Sequence, residues 1–407
     1  MSAGPQADQR HPDGRLRRAR RAVLVVFFVH GALFANWVPL IPTVQQNLGL
    51  SAGTLGLALL GSAVGSLIAM PVAGSLIARA GSRRVVTIAG IAYCATLLLP
   101  VVAPTLLTLF FALVVFGACQ GSTDVAMNAQ GSTVETRYGR PLMSSFHGFW
   151  SLGGLTGAGI SGALAAAGIA PVPHVLGATI ILGALLLAAT RSFLPRAEDA
   201  SAHGPAFARL TPPLIWLGIV GFGALMAEGS IGDWSALYLR RILGASPGLA
   251  AAGYATFTLT MTIGRLTGDR LTAYLGPVRL VRLGGALLAV GLGGALLLDH
   301  IAATLAGFAL IGFALANIVP ILFSAAGRTP HLAPGPAIAA VSTASFVGFL
   351  VGPPVIGVTA DHVTLRGGLA IVAGLGILIA ILAPAVGRAA AGSQTVDPES
   401  TALNELA

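Results

Sequence analysis

The chain has 407 residues, of which 55% are hydrophobic and only 9% charged, with a formal net charge of +9. A soluble domain carries about 25% charged residues, so this composition excludes a soluble enzyme, a disordered protein and a secreted module. Two cysteines, Cys94 and Cys119, each inside an apolar run, offer neither a disulfide framework nor a cysteine-based metal site.

Residues 1–21 are rich in Arg, Pro and Gly and read as a disordered tail. Twelve apolar runs follow, each near the ~20 residues that a spanning helix needs. They cover roughly 22–43, 54–78, 85–103, 105–130, 144–168 and 174–194, then 213–238, 249–267, 280–298, 301–326, 337–359 and 367–386. Turn signals such as Asn47-Leu48-Gly49 and Pro171-Val172-Pro173 separate them. The runs are continuous and not alternating, which predicts helices and not a barrel. The first run is too long for a signal peptide and no small-residue cleavage site ends it. Residues 195–212 are the longest interior hydrophilic segment and divide the chain into bundles 22–194 and 213–388; residues 389–407 read as a second disordered tail.

Every basic residue is an arginine, and twenty of the 23 fall in the tails and in the loops on one face of a twelve-span arrangement. Only Arg240, Arg241 and Arg366 fall on the other face. Positive charge marks the cytoplasmic side, so both termini are expected there. The same scatter accounts for the basic charge without a nucleic-acid partner. No arginine is expected at mid-membrane.

The two halves repeat. Ser145-Phe146-His147-Gly148-Phe149 in span 5 echoes Ser345-Phe346-Val347-Gly348-Phe349 in span 11. Asn36-Trp37 echoes Asp233-Trp234, and Gly117-Ala118 echoes Gly312-Phe313. The shared order predicts tandem six-helix repeats, a transporter architecture with its site between the halves near the midplane.

Between spans 2 and 3 the chain reads Gly74-Ser75-Leu76-Ile77-Ala78-Arg79-Ala80-Gly81-Ser82-Arg83-Arg84. This resembles the major facilitator signature Gly-x-x-x-Asp-x-x-Gly-x-Arg-Arg, with Ala78 in the acid's place. The second copy, Gly264-Arg265-Leu266-Thr267-Gly268-Asp269-Arg270, keeps an acid. The resemblance covers residues 22–388. It implies an all-α membrane protein whose twelve transmembrane helices form two pseudo-symmetric six-helix bundles. The stretch Phe146 to Gly154, with Ala227-Glu228-Gly229-Ser230 and Asp233-Trp234, is similar to a group of bacterial inner-membrane permeases. Asp124-Val125-Ala126-Met127-Asn128 resembles the acid-x-x-x-Asn stretch of proton-coupled fucose permeases, which also carry an acid in span 1 where this chain has Asn36.

Ionisable groups inside the bilayer need a reason. Asp124 lies 11 residues before Glu135, about 16 Å along the helix, with Asn128 one turn on. His147 lies about 10 Å inside Arg140, and Glu228 about 22 Å past Pro213. Asp124, Glu228 and His147 are the proton-coupling candidates; structural hydrogen bonding is the alternative for each. Asn36, Trp37, Gln120, Asn128, Trp234 and Asn317 are candidates for lining the substrate cavity, against simple packing or interfacial anchoring. Arg79, Arg83, Arg84, Glu135, Arg140, Asp233, Asp269 and Arg270 stand at span ends as gating candidates, a role that positive-inside anchoring would also explain.

Enzyme signatures are missing from the sequence. Ser144 and Ser145 beside His147 lack a G-x-S-x-G elbow. No metal-ligand spacing and no phosphate-binding Gly-x-x-x-x-Gly-Lys loop occur. The reading is a monomeric, cofactor-free secondary transporter of the bacterial inner membrane, with lipid, a small solute and protons as its partners. A pore of acids and amides without a fixed cation predicts a neutral, zwitterionic or cationic solute. An uncoupled facilitator, a transport-dead sensor and a polytopic membrane enzyme are the alternatives.

Overall fold

The structure, a computed structural model, describes residues 13–50, 52–199, 211–330 and 332–391. Among these residues the backbone is helical almost throughout and contains no strand. Helix α1 (Gly14–Trp37) starts at Asp13, whose side chain accepts from the Leu16 amide at 2.6 Å. The expected disordered tail therefore ends earlier than the composition suggested. Residues 14–21 are the first turns of α1, and residues 1–12 lie outside the described part. Pro39 and Pro42 lack amide donors, and the chain passes through a 3-10 turn (Val38–Leu40) into α2 (Ile41–Asn47).

Helix α3 (Ala52–Ala80) and α4 (Ser82–Thr96) are joined by Gly81 alone. Its φ of 82° is one that L side chains avoid, which is why this signature position is glycine. Ser82 Oγ then donates to Gln130 Oε1 at 2.6 Å, tying the turn to α5 (Leu106–Tyr138). Next come α6 (Met143–Ala166), α7 (Pro171–Thr190) and the short α8 (Arg196–Asp199). The second half holds α9 (Pro212–Arg241), α10 (Pro247–Leu275), α11 (Pro277–Leu298), α12 (Ile301–Leu315) and α13 (Ile318–Gly327). It closes with α14 (Pro334–His362), α15 (Leu365–Leu382) and α16 (Pro384–Ala391). Of the hydrophilic segment 195–212, residues 200–210 lie outside the described part.

By length and apolar composition alone, nine segments among the described residues qualify as membrane spans. Helices α4, α6 and α10 are not among them. The first has 15 residues; the other two carry the histidine, serines, threonines and arginines of the interior. With α1–α2 and α12–α13 each taken as one bent rod, and the short α8 and α16 set aside, the described residues form twelve rods running alternately up and down. Helix α14 runs unbroken through Pro353 and Pro354.

The internal repeat is physical. An added Cβ on Gly117 would lie 2.0 Å from the Ser62 carbonyl oxygen, and one on Gly312 2.2 Å from that of Phe257. Gly153 meets the Phe28 carbonyl at 2.0 Å and Gly348 the Phe222 carbonyl at 2.1 Å in the same way. Both pairings repeat at an offset of about 195, so Gly348 matches Gly153 and not Gly148. The counterpart of His147 is accordingly Ser342 and not Val347. Replacing Gly153 by Val should drive α1 and α6 apart and cost about 1–3 kcal/mol or more. Gly159→Val, with open space around it, should leave the melting temperature nearly unchanged. Equal melting of the two variants would contradict the packing.

The start of α1 and the end of α15 lie at the same end of the bundle, here the tail side. Close contacts across the halves crowd toward it. Gly74 faces Ala339, Gly335 faces Ile77, Gly148 faces Leu266, and Gly268 faces Ser144. Toward the far side, α6 leaves Leu155 58% and Ile160 53% exposed.

Candidate functional site

Helix α6 begins on the tail side with amides that have no partner in their own helix. Two carboxylates cap them. Glu135 Oε2 accepts from the Leu142 and Met143 amides, each at 2.8 Å. Asp269, from the other half, accepts from the Ser145 amide at 3.2 Å and from Ser145 Oγ. Glu135 also takes the hydroxyl of Ser324 and stands 3.8 Å from Arg328 Nη1, both in the second half. A helix N-terminus attracts negative charge, so α6 and its two acids clasp the halves together.

Further in, two polar chains thread the interior, and both pass through α6. In the first, His147 Nε2 donates to Asn128 Oδ1 at 3.1 Å. Asn128 Nδ2 donates to the Asp124 carbonyl at 2.9 Å and stands 3.4 Å from Asp124 Oδ1. Asp124 Oδ2 is buried without a partner. Asp124 lies 14 residues from the end of α5, about 21 Å deep. The His147 ring touches Phe27 of its own half and Phe323 of the other, at centroid distances of 5.2 and 5.9 Å.

The second chain starts at the Gln120 carbonyl, one turn before Asp124. His30 Nε2 donates to it at 3.2 Å, and Trp150 Nε1 donates to His30 Nδ1 at 2.9 Å. A carbonyl only accepts and an indole only donates, so His30 is held as its neutral Nε2–H tautomer. Arg265 lies over the Trp150 ring at 5.8 Å, donates to Ser151 Oγ at 2.9 Å and stands 3.7 Å from Glu228. The predicted trio is therefore not one cluster: Asp124 and His147 share the first chain, and Glu228 closes the second.

Arg265 overturns the expectation of a pore without a fixed cation. Helix α10 continues to Leu275 instead of ending near Thr267, which puts Arg265 about 15 Å in from the tail side. Its residue is only 6% exposed. The ground for expecting a neutral, zwitterionic or cationic solute is thereby removed.

Several cavity candidates turn out to be internal ties. Asn36 Oδ1 accepts from His174 at 2.7 Å and its amide donates to the Ala32 carbonyl, knitting α1 to α7. Trp37 is buried in the core of the first half. Trp234 packs beside Gly357 of α14 in its own half. Asn317 donates to the Gly264 carbonyl at 3.2 Å, pinning the break between α12 and α13 onto α10. Gln120 is buried, and its backbone, not its side chain, carries the contact to His30. Asn128 is fully buried between Asp124 and His147.

The gating candidates divide likewise. Glu135 and Asp269 bridge the halves. Arg79, Arg83 and Arg84 lie exposed at helix ends and Arg270 on the exposed side of α10, and no ion pair across the halves is seen for them among the described residues. Arg140 lies over the Tyr138 ring at 5.2 Å, beside Arg20 on the same ring. Asp233 is exposed, and no ion pair joins it to Arg240 or Arg241 among the described residues.

Sequence reasoning passed over His30, Trp150, Ser151 and Arg265. His30 is the one ionisable side chain in the interior of the first run, which is a readable signal. Trp150 and Ser151 sit in the motif around His147. Losing the His30 ring should leave the part-buried Trp150 Nε1 unpaired, at a cost of about 1 kcal/mol or more. His30→Leu should therefore lower the melting temperature, and adding Trp150→Phe should restore most of the loss. Strictly additive losses would argue against the bond.

The sequence profile of the Major Facilitator Superfamily matches residues 23–334. An uncharacterized MFS-type transporter of Yersinia pestis is 40% identical over 89% of this chain and 94% of its own length. Membrane protein MosC of Rhizobium meliloti is 33% identical over 88% of each chain. Among solved structures, the E. coli fucose:proton symporter FucP matches with a TM-score of 0.75 at 16% identity, over 90% of this chain and 98% of that one.

Proposed function

We propose, from the premise that the chain belongs to the major facilitator superfamily and is a multi-pass membrane transporter and not an enzyme, that it moves a small solute by alternating access coupled to a proton. The moving bodies are residues 22–194 and 213–388. The tail side is cytoplasmic in the bacterial inner membrane, as the arginine distribution argues, and the clasp around α6 is the cytoplasmic gate, closed in this structure. The working unit is one chain.

Asp124 carries the reading. Its buried Oδ2 has no hydrogen-bond partner, and it stands at mid-depth two hydrogen bonds from His147 on the interface. An unpaired carboxylate oxygen is costly to bury; a proton removes its charge and with it most of that cost. Asp124 thus takes the proton, His147 and Asn128 orient it, and Glu228 holds the second ionisable position beside Arg265. The fold neighbour named as a fucose:proton symporter uses the same energy source. Uptake into proteoliposomes tests the coupling. A solute found by ligand-induced stabilisation should accumulate above its outside concentration when the outside is acid. Uptake that stops at equal concentrations under every pH gradient would leave an uncoupled facilitator.

A further inference from the structure

The Arg265 guanidinium is buried, yet its donors are largely unused. Nη1 donates to Ser151 Oγ at 2.9 Å. Nη2 stands 3.7 Å from Glu228 Oε2, outside hydrogen-bond reach, and Nε is buried with no partner. Five donors in a planar fork are a heavy requirement to leave unmet away from water. Closing the gate does not account for them, because Glu135 and Asp269 clasp α6 without Arg265. Glu228 does not satisfy them either, and its side chain keeps 24% exposure. The Trp150 ring covers one face of the guanidinium at 5.8 Å, with Phe34 6.2 Å from that ring.

We infer that Arg265 is the anchor for an oxyanion of the solute, so that the transported molecule carries a carboxylate or a similarly planar acid group. This rests on the reading of the chain as a carrier with a central site. The fork matches a carboxylate bidentately, and Trp150 and Phe34 offer an aromatic wall to the body of the molecule. Arg265 touches Ser151 and Trp150 of the first half and Glu228 of the second, so an oxyanion on it is held at the seam between the moving bodies. Glu228 and the oxyanion compete for one guanidinium. The other titratable groups within electrostatic range of Arg265 are Tyr254 on α10 and His147 on α6, with Asp233 of α9 near Tyr254 and His30 behind Trp150.

The test is thermal stabilisation of the purified full chain by matched triplets of acid, alcohol and amine. Suitable sets are galacturonate, galactose and 6-amino-6-deoxygalactose; lactate, propane-1,2-diol and 1-aminopropan-2-ol; benzoate, benzyl alcohol and benzylamine. The stabilising compounds should be acids only. Arg265→Gln should abolish the shift, and Arg265→Lys should weaken binding at least about tenfold, since the fork is lost while the charge remains. Glu228→Gln should tighten acid binding about tenfold by removing the competitor. Melting without ligand reports whether each variant is folded. Stabilisation by neutral or amine members as strong as by the acids would overturn the assignment. So would a folded Arg265→Lys variant with unchanged affinity, or the absence of any acid-specific shift. No gradient enters this assay, so its outcome is separate from that of the coupling experiment.

Discussion

Asp124→Asn should abolish gradient-driven accumulation while leaving solute exchange between the two sides of the membrane. With one proton per solute, one pH unit is worth about 1.4 kcal/mol, or about tenfold accumulation at balance. The variant should bring that ratio to one. Asparagine keeps the size of the side chain; Asn128 reaches the Asp124 backbone carbonyl and Oδ1, and His147 bonds Asn128, so the fold has little reason to change. What disappears is the buried oxygen proposed to accept the proton. Accumulation by Asp124→Asn as strong as by the wild type would make Asp124 a structural residue.

Asp269→Asn should open the tail side. Asp269 reaches across the halves to the Ser145 amide and hydroxyl at the start of α6. A carboxylate at a helix N-terminus contributes up to about 2 kcal/mol when partly buried, and its loss shifts a two-state gate by about tenfold or more. Ser144 is 2% exposed here, so a Ser144→Cys reporter should react slowly with an impermeant maleimide on the tail side and about tenfold faster when Asp269→Asn is added. Glu135→Gln should do more harm, because Glu135 also caps α6 within its own half; reactivity should rise and the melting temperature fall. A reporter that stays slow in both variants would show that the clasp does not hold the gate.

Spans, repeat and candidate acids were legible because each leaves a one-dimensional mark: a long apolar run, an echo two hundred residues on, or a charge where none is cheap. What was illegible depended on where a helix stops and which way it faces. Arg265 read as an end-of-span arginine because Arg265, Asp269 and Arg270 fall close together; only the continuation of α10 to Leu275 carries it inward. The echo of Ser145-Phe146 in Ser345-Phe346 pointed to an offset five residues away from the one the packed glycines obey. Asn36, Trp37 and Asn317 have the polarity and depth of cavity residues, but facing is set by tertiary packing, and each turns toward a neighbouring helix. Arg79, Arg83 and Arg84 match a signature whose visible work here is the Gly81 turn and the Ser82 bond to Gln130.

The proposed coupling has each solute cross with one proton. The direct measurement is the pH of a weakly buffered medium around wild-type proteoliposomes while uptake of the solute is followed in parallel. The medium should turn alkaline as solute enters, by one proton per molecule, and Asp124→Asn vesicles should show no change. Solute entry through the wild-type protein with a flat pH trace would contradict proton coupling.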